Sequence, residues 1–576
     1  MFKLKHFLKN YKRQVILGPI FKLVEAIIEL IIPLIMARVI DIGIKNRNVN
    51  YSLKMGILMI TLGAIGLTSA IVCQYYAAQA SQGFGSDVRN ELFKHINNLS
   101  YKELDKVNNA SLITRLTNDI NQLQLAVSMF IRLVIRSPLL VIGSIVMAMT
   151  INIKISIIFI VTAIVIGLLL YVIISRTVPY FRLIQKKIDK ISFLTKETLT
   201  GIRVIRAFSK QEDEKNKFLF YNNDLTNTAV KVEKVSSLLN PATYIVINLG
   251  IASIIWYGSH KAYYGIIAQG EIIALVNYMM QILHSLIITA NLVVIFTKAT
   301  ASASRVNEIF EINPSLLYEE SSELYNQEPL NSKQKVEIQF KNVSFCYDAN
   351  CESSINGINF SINKGDTLGI IGGTGAGKTT IANLICRFYD ASNGEIYING
   401  IDIKKYSNED LRKRVSIVSQ KAVLFSGTIL DNMKWRDENA TIDEIKNALD
   451  IAHASEFVEK LDDKYNTIVK QGGKNFSGGQ RQRLTIARSL VNIPQILILD
   501  DSSSALDAAT DMILRRNLKQ KCKNTTKVIV SQRCSTIRDA NKIIVLAYGK
   551  QIACGTHDEL LQSCDVYKRI WESQKS

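Results

Sequence analysis

The sequence predicts an α-helical membrane domain with six transmembrane helices and long cytosolic extensions, fused to an α/β domain that carries a phosphate-binding loop. Three observations lead to this fold class. The 576 residues exceed what one core accommodates, and the long apolar runs lie before about residue 300. Residues 372–379 carry a glycine-rich pattern between a strand and a helix. We expect a membrane domain over residues 1–310, a linker over 311–334 and a nucleotide-binding domain over 335–576.

The composition supports a chain divided into an apolar half and a soluble half. Hydrophobic residues make up 48% of it, although 21% of the residues are charged. The net charge of +19 is typical of basic segments that face the cytoplasm, and we do not expect a nucleic acid partner. Eight scattered cysteines form no C-x-x-C pair, which predicts reduced structural thiols and no cysteine metal site.

A membrane-spanning helix needs about 20 mostly apolar residues. Segments that meet this requirement are found at 15–40, 56–80, 129–151, 155–178, 241–264 and 272–297. An even number of spans places both termini on one side of the lipid bilayer. Because a nucleotide-binding domain works in the cytosol, we expect a multi-pass protein of the cytoplasmic membrane with both termini cytosolic.

The two long polar connections, 81–128 and 179–239, contain few turn signals, and their apolar residues recur at helical spacing. They predict membrane helices that continue well into the cytoplasm. Short elements at their tips, over residues 98–108 and 208–221, are expected to touch nucleotide-binding domains.

Several polar residues lie inside the predicted spans, where unpaired charge is costly. Glu25 and Glu29 are one turn apart in the first span, as are Arg132 and Arg136 in the third, and we favour mutual pairing of these charges. The sixth span has a polar face at spacings of four, three and seven residues, formed by Asn277, Gln281, His284 and Asn291. Together with Glu25 and Glu29, this face is a candidate lining for a transport cavity. Hydrogen bonding between helices explains it equally well.

The phosphate-loop pattern lies between the apolar strand 367–371 and the start of a helix. Its residues are Gly372, Gly373, Thr374, Gly375, Ala376, Gly377, Lys378, Thr379 and the adjoining Thr380. In such a loop the glycines let backbone N–H groups surround phosphates, and the helix N-terminus favours negative charge. Lys378 is expected to reach the β- and γ-phosphates of ATP, and Thr379 to ligate Mg²⁺. Asp500, at the end of a second apolar strand, is a further candidate Mg²⁺ ligand.

Between these two strands the sequence resembles the signature of ATP-binding cassette (ABC) transporters. The resembling residues are Phe476, Ser477, Gly478, Gly479 and Gln480, with Phe476 in place of the family's leucine. The resemblance implies that this element contacts the nucleotide held by a partner subunit. It also implies that Tyr347 stacks on adenine and that Gln420 senses Mg²⁺. A loop across the dimer interface is implied for Ser504, Ala505, Leu506 and Asp507. The membrane half resembles the exporter class.

The sequence departs from the family at two positions that serve hydrolysis. The acid that polarises the attacking water is a glutamate in competent members and is Asp501 here, and the switch histidine is replaced by Gln532. Both changes weaken hydrolysis of the nucleotide that this chain binds. The chain therefore resembles the degenerate-site subunit of bacterial heterodimeric multidrug-type exporters. That resemblance implies ATP-driven export of an amphipathic drug, lipid or peptide with a second, non-identical half-transporter.

Two alternatives stay open at the level of sequence. One is a homodimeric lipid flippase with two slow Asp501 sites. The other is a nucleotide-gated channel or regulator, in which slow hydrolysis is useful.

Overall fold

The computed structural model describes residues 2–107, 109–316, 318, 336–347 and 353–575. The chain divides into two compact units. A helical membrane unit comprises residues 1–97 and 109–312, and a second, α/β unit comprises 98–108 and 313–576. Most of the predicted linker 311–334 lies outside the described residues.

The membrane unit is built from long helices. Within the described residues, five continuous helical stretches are long and apolar enough to cross a membrane: Val49–Asn98, Ser111–Ile151, Ile153–Thr200, Gln211–Tyr263 and Gln269–Phe310. Each covers one of the last five predicted spans and extends beyond it at one end or both, except that the stretch covering the fifth span, 241–264, ends one residue earlier, at Tyr263. The third predicted span lies in a stretch of successive segments: Asn109–Thr114, Arg115–Asp119, Ile120–Met129, Phe130–Val134 and Arg136–Ile151. The fifth lies in Leu239–Tyr263, which follows Gln211–Ser236.

The first predicted span, 15–40, also forms a helix, Lys12–Arg38, which follows the 3₁₀ helix Phe2–Tyr11 and continues as a π-type turn over Val39–Ile44. It is not among the five apolar stretches, because Lys22, Glu25 and Glu29 place three charges close together. Five of the six expected spans are therefore apolar enough to cross a membrane. The remaining one is also a helix, and its Lys22, Glu25 and Glu29 each form an ion pair.

The two tips of the cytosolic extensions differ. The first contains the short helix Tyr101–Lys106, which begins with a capping box between Ser100 and Glu103 and belongs to the second unit. The second tip is earlier than the predicted 208–221, since its short helix is Ile202–Ala207 and the chain is helical again from Gln211. Three acidic residues directly after Gln211 favour a helix start there, because they complement the helix dipole.

A ten-stranded sheet organises the second unit, in the order β5-β4-β1-β2-β12-β11-β3-β10-β9-β6. A separate pair is formed by β7 and β8. The strands are β1 Val336–Phe345, β2 Ile355–Asn363, β3 Thr367–Gly372, β4 Asn393–Ile398, β5 Ile401–Asp402, β6 Val415–Val418, β7 Gly427–Thr428, β8 Ile468–Val469, β9 Ile496–Asp500, β10 Thr526–Val530, β11 Lys542–Ala547 and β12 Lys550–Gly555.

The helices of this unit surround the sheet. Besides Tyr101–Lys106, those of four residues or more in the described part of the unit are Lys378–Ile385, Asn408–Arg414, Ile429–Lys434, Ile442–Ile451, Ser455–Val458, Gly478–Leu490, Ala508–Lys521, Cys534–Ile537, His557–Ser563 and Asp565–Lys575. Strands β11, β3, β10, β9 and β6 run parallel, and β3, β9 and β10 are almost continuously buried. A buried parallel sheet explains why these strands read as unbroken apolar runs. Their carboxyl ends meet at one edge, which positions the candidate site.

Candidate functional site

The phosphate loop connects β3 to the helix Lys378–Ile385 through a backbone that requires glycine. Gly375 and Gly377 have φ angles of +78° and +94°. A Cβ atom on Gly372 would lie 2.4 Å from the carbonyl oxygen of Leu546. Because side chains are excluded at these positions, the loop backbone stays open for N–H groups to approach an anion.

Lys378 lies inside this loop. Its Nζ donates to the carbonyl oxygens of Gly372 at 2.9 Å and Gly373 at 2.7 Å. Burial lowers the pKa of the ammonium, whereas the carboxylates of Asp501 and Asp500 act in the opposite direction. These contacts hold a positive charge at the place where the sequence predicts the β- and γ-phosphates.

Oxygen ligands suitable for Mg²⁺ meet beside the lysine. The Thr379 hydroxyl donates to Asp500 Oδ1 at 3.2 Å, and Gln420 Nε2 donates to Asp501 Oδ2 at 3.2 Å. Burial raises the pKa of Asp500, and a bound cation would favour its ionised form. Hydroxyl, carboxylate and amide oxygens fit the preference of Mg²⁺, so Thr379, Asp500 and Gln420 would hold the ion. Bound there, Mg²⁺ would neutralise phosphate charge.

The candidate adenine-stacking residue, Tyr347, follows β1. Its hydroxyl lies 3.2 Å from Thr380 Oγ1, and its ring contacts Phe345 and Tyr389 edge-on. With 37% of the residue exposed, the ring offers surface for stacking. The hydroxyl contact ties the aromatic residue to the helix that follows the phosphate loop.

The two departures from the family pattern lie at the ends of neighbouring strands. Val530 of β10 pairs in register with Asp500 of β9, and the Asp501 N–H donates to the Val530 carbonyl at 2.9 Å. Asp501 has a φ of +46°, which is uncommon outside glycine. Gln532 follows β10 by two residues and is exposed. Since β3 is the other neighbour of β10, both residues lie at the edge that carries the phosphate loop.

The signature-like element opens the helix Gly478–Leu490. Gln480 N–H donates to Ser477 Oγ at 3.3 Å and Ser477 N–H donates to Gln480 Oε1 at 2.9 Å, which is a reciprocal capping box. Phe476 is buried, with 7% exposed, and lies near the ring of Phe457. Phe476 therefore occupies an apolar environment that would also accommodate the family's leucine.

Comparison with known proteins agrees with this site. Residues 15–286 match the family model "ABC transporter transmembrane region", and residues 355–504 match "ABC transporter". The uncharacterized ABC transporter ATP-binding protein YfiB of Bacillus subtilis is 35% identical over 574 residues, covering 100% of this chain and 98% of that protein. The chain belongs to the ABC transporter family. A second relative, the uncharacterized ABC transporter ATP-binding protein MT1311 of Mycobacterium tuberculosis, is 32% identical, covering 99% of this chain and 97% of that protein.

The fold of this ABC transporter is that of an exporter. A structure titled as a bacterial Atm1-family ABC exporter with ATP bound superposes with a TM-score of 0.79, covering 98% of both chains at 22% identity. The protein is thus a half-transporter, with one membrane region and one ATPase domain in a single chain. Family membership makes it an ATP-driven transporter.

In this ABC transporter the loop expected at the dimer interface begins at Ser504, three residues after Asp501. Asp507 caps the helix Ala508–Lys521 by accepting from the Thr510 N–H at 3.2 Å, and Leu506 is buried. The remaining loop residues, Ser504 and Ala505, are exposed. A Cβ atom on Gly479 would lie 3.3 Å from the Ala505 carbonyl oxygen, so the loop and the signature are neighbours within one chain.

A cavity of about 550 Å³ in the membrane unit gathers most of the polar residues that the sequence singles out. Its lining includes Glu29, Arg136, Asn277, Gln281 and His284. Arg136 and Glu29 form an ion pair at 2.7 Å, as the pairing hypothesis expects.

Two other candidates do not line this cavity. Glu25 pairs with Lys22 at 2.7 Å, so the expected pairing of Glu25 with an arginine is wrong. Asn291 lies further along the same helix, beyond the lining residues. Gln281 also bonds the first helix, because its Nε2 donates to the Glu29 carbonyl at 3.0 Å. Cavity lining and helix–helix hydrogen bonding therefore coexist on one face.

Sequence reasoning missed one residue beside the switch position. Gln574, in the last helix, donates from Nε2 to the Gln532 carbonyl at 2.7 Å and accepts from the Cys534 N–H at 2.7 Å. These two hydrogen bonds restrain the backbone of the switch segment, residues 532–534, at Gln532 and at Cys534. The partners are 40 or more residues away in sequence and the bonds go to backbone atoms, so no sequence pattern marks this residue.

Proposed function

We propose that this chain is one subunit of a heterodimeric ABC exporter and binds ATP at a hydrolytically weakened site. Its partner is a second, non-identical half-transporter in the cytoplasmic membrane, with the termini of both chains in the cytosol. One observation carries the proposal. Asp501 and Gln532 flank the same phosphate loop, whereas Ser477 and Gln480 form a complete helix cap.

The weakening at Asp501 follows from side-chain length. An aspartate carboxylate lies one methylene closer to the backbone than a glutamate carboxylate, a difference of about 1.5 Å along one C–C bond. The Asp501 backbone is held by the Val530 carbonyl, so the loop does not readily advance to close this gap. Displacements of about 1 Å cost on the order of a hundredfold in rate.

Gln532 adds a second deficit at the same nucleotide. An amide donates a hydrogen bond to a phosphate oxygen, but it never carries the positive charge of a protonated histidine. Developing charge on the transferred phosphoryl group is therefore stabilised less. Both changes act on the ATP cradled by Lys378, and neither touches the element that serves a partner's nucleotide.

In the proposed mechanism, two ATP molecules hold the two ATPase domains together, and hydrolysis at the partner's site releases them. Because the ATP-bound pair favours one of two packings of the membrane helices, the cavity opens alternately to each side. The segment 98–108 supports coupling. It continues from a membrane helix, and within the second unit Tyr101 stacks on Phe388 with centroids 4.3 Å apart.

The membrane cavity supports an amphipathic substrate. The Glu29–Arg136 ion pair and the side chains of Asn277 and His284 provide polar contacts. The rest of the lining is largely apolar and flexible, formed by Ile32, Pro33, Met36, Met59, Leu140 and Met280. Methionine-rich walls adapt to ligands of different shape.

The test is to purify the full chain alone, reconstitute it in vesicles, and measure nucleotide binding and hydrolysis separately. We expect the parent chain to bind Mg·ATP and to hydrolyse it slowly, and the Lys378→Ala variant to lose both binding at the phosphate loop and this hydrolysis. Co-expression with the partner half-transporter, recovered by affinity purification from the native membrane, is expected to restore turnover.

Brisk hydrolysis and transport by the chain alone, dependent on Asp501, would overturn the heterodimer and favour a homodimeric flippase. Ion flux that requires ATP binding without its consumption would overturn export and favour a nucleotide-gated channel.

A further inference from the structure

A second cavity, of about 680 Å³, lies in the ATPase domain at the opposite end of the sheet from the phosphate loop. Thr367 and Lys527 line it, and they are in register at the amino ends of β3 and β10. The phosphate loop follows the carboxyl end of β3. The two sites are therefore separated by the length of the central strands.

The lining of this basic cavity is strongly positive. Its cations are Arg515, Arg516, Lys519, Lys523, Lys527 and Arg538. Asp539 is the single acidic side chain in the lining. In the described part of the chain only Arg515 among these cations forms an ion pair, with Asp511 at 2.8 Å just outside the lining.

Lys527 distinguishes this cavity from an ordinary lysine-rich surface. The residue is buried, with 7% exposed, and its Nζ donates to the Thr525 carbonyl at 2.8 Å. An ammonium has three donors, and none of the described carboxylates lies within ion-pair distance of this one. Burial lowers the pKa of Lys527. The carboxylate of Asp366 acts on this ammonium from beyond ion-pair distance and opposes the effect of burial. A buried cation with no counter-charge in contact is unfavourable, and an anion in the cavity would relieve it.

A second buried donor is open at the same place. The Nε of Arg515 is buried and has no acceptor among the described residues. Trp571 lines the cavity as well, with the guanidinium of Arg538 at 5.9 Å from its ring centroid. The cavity volume is in the range of small-molecule sites, and planar guanidinium groups match phosphate oxygens.

We propose that this basic cavity binds a soluble polyphosphate anion, with two or more phosphate groups, at a site separate from the ATP site. Five of these cations form no ion pair with a described residue, which exceeds what one phosphate neutralises and favours a polyvalent ligand. The cavity also lies between two elements that begin at the ATP site. The helix Ala508–Lys521 follows Asp507, and the helix Cys534–Ile537 follows Gln532.

The experiment uses the full chain with the Lys378→Ala substitution, so that the phosphate loop does not contribute. Sodium triphosphate is titrated at constant ionic strength, balanced with NaCl, and followed by calorimetry and by the thermal unfolding midpoint. We expect saturable binding and a rise of the midpoint. A response no larger than that of NaCl alone would overturn the proposal.

Variants locate the site. Lys527→Met keeps the apolar stem and removes the buried charge, and the double variant Lys519→Gln/Lys523→Gln removes two exposed charges. Each is expected to weaken triphosphate binding by about tenfold or more, as expected for the loss of a charge-assisted contact. Lys446→Gln, on the exposed face of the helix Ile442–Ile451, is the matched control and should bind as tightly as the parent. Undiminished affinity in both cavity variants would refute the assignment.

Ligand comparison defines the chemical class. Orthophosphate should bind at least tenfold more weakly than triphosphate, because it offers fewer charges to the same cations. Equal affinity for the two would overturn a polyphosphate ligand. ATP binding tighter than triphosphate in the same Lys378→Ala chain would support a nucleotide stacked on Trp571, whereas equal affinity would support an inorganic chain.

Discussion

The proposed weakening of the hydrolytic site makes a sharp prediction for the double variant Asp501→Glu/Gln532→His. The glutamate restores a methylene of about 1.5 Å, and a displacement of roughly 1 Å is worth about a hundredfold in rate. This corresponds to about 2.7 kcal/mol of transition-state stabilisation. Histidine adds a positive charge near the phosphates. We therefore expect ATP turnover by the chain alone to rise by about a hundredfold or more.

The structure gives a reason to expect that the glutamate fits. The Asp501 carboxylate accepts from Gln420 at 3.2 Å, at the edge that carries the phosphate loop. A longer side chain on the same backbone extends toward that loop. The assay is steady-state phosphate release from the full chain reconstituted at a density that gives dimers, confirmed by cross-linking. Such a dimer supplies its own signature elements, so both nucleotides are capped.

Two controls make the result decisive. Asp462→Glu adds the same methylene at an exposed position of the same domain and should leave turnover unchanged. Adding Lys378→Ala to the double variant should remove the gain, which would place it at this chain's own nucleotide. If the double variant binds ATP, dimerises and still turns over at the parental rate, the geometric account of the weak site is wrong.

Three further predictions concern other parts of the molecule. Glu29→Gln leaves Arg136 without its partner and should lower stability by about 2 kcal/mol, with partial recovery in Glu29→Gln/Arg136→Gln, measured by unfolding in detergent. Gln574→Leu removes two bonds to the switch segment, so amide exchange at Cys534 should accelerate about 5- to 30-fold, while exchange of central strand amides stays constant. Phe476→Leu should cost less than about 1.5 kcal/mol and leave ATP hydrolysis by the assembled pair within about threefold, since a similar apolar side chain fills the site.

The fold class was predictable because its signals are local. A run of apolar residues long enough to cross a bilayer specifies a helix, and a glycine-rich turn after a buried strand specifies a phosphate loop. Helix ends were harder to predict. The span 155–178 continues to Thr200, because apolar residues that recur at helical spacing among polar ones continue the helix beyond the membrane. The first helix has more charge than an ordinary membrane-spanning helix because it includes Lys22. The ion pair that Lys22 forms with Glu25 is found only in the structure.

Residues whose role depends on distant partners were beyond sequence reasoning. Arg132 and Arg136 look alike in sequence, and within the described residues only Arg136 forms an ion pair with Glu29. Lys527 reads as one lysine among many, and its burial follows from its place at the start of a central strand. Asn291 shares a helical face with His284, yet the cavity lining on this helix ends at Ser285, and the six residues from there to Asn291 correspond to about 9 Å along the helix.

The basic cavity and the switch position share a structural element, and this makes their independence testable. The helix Asp565–Lys575 carries Trp571 at the cavity and Gln574 at the backbone of Gln532 and Cys534. Trp571 and Gln574 are three residues apart, so they lie on one face of that helix. An anion that orders this helix from the Trp571 side would also restrain the switch segment through Gln574. Triphosphate should then slow amide exchange at Cys534 in the Lys378→Ala chain and fail to do so when Gln574→Leu is added. Equal slowing in both chains would show that the effect does not pass through Gln574, and no slowing in either would show that the two sites are independent.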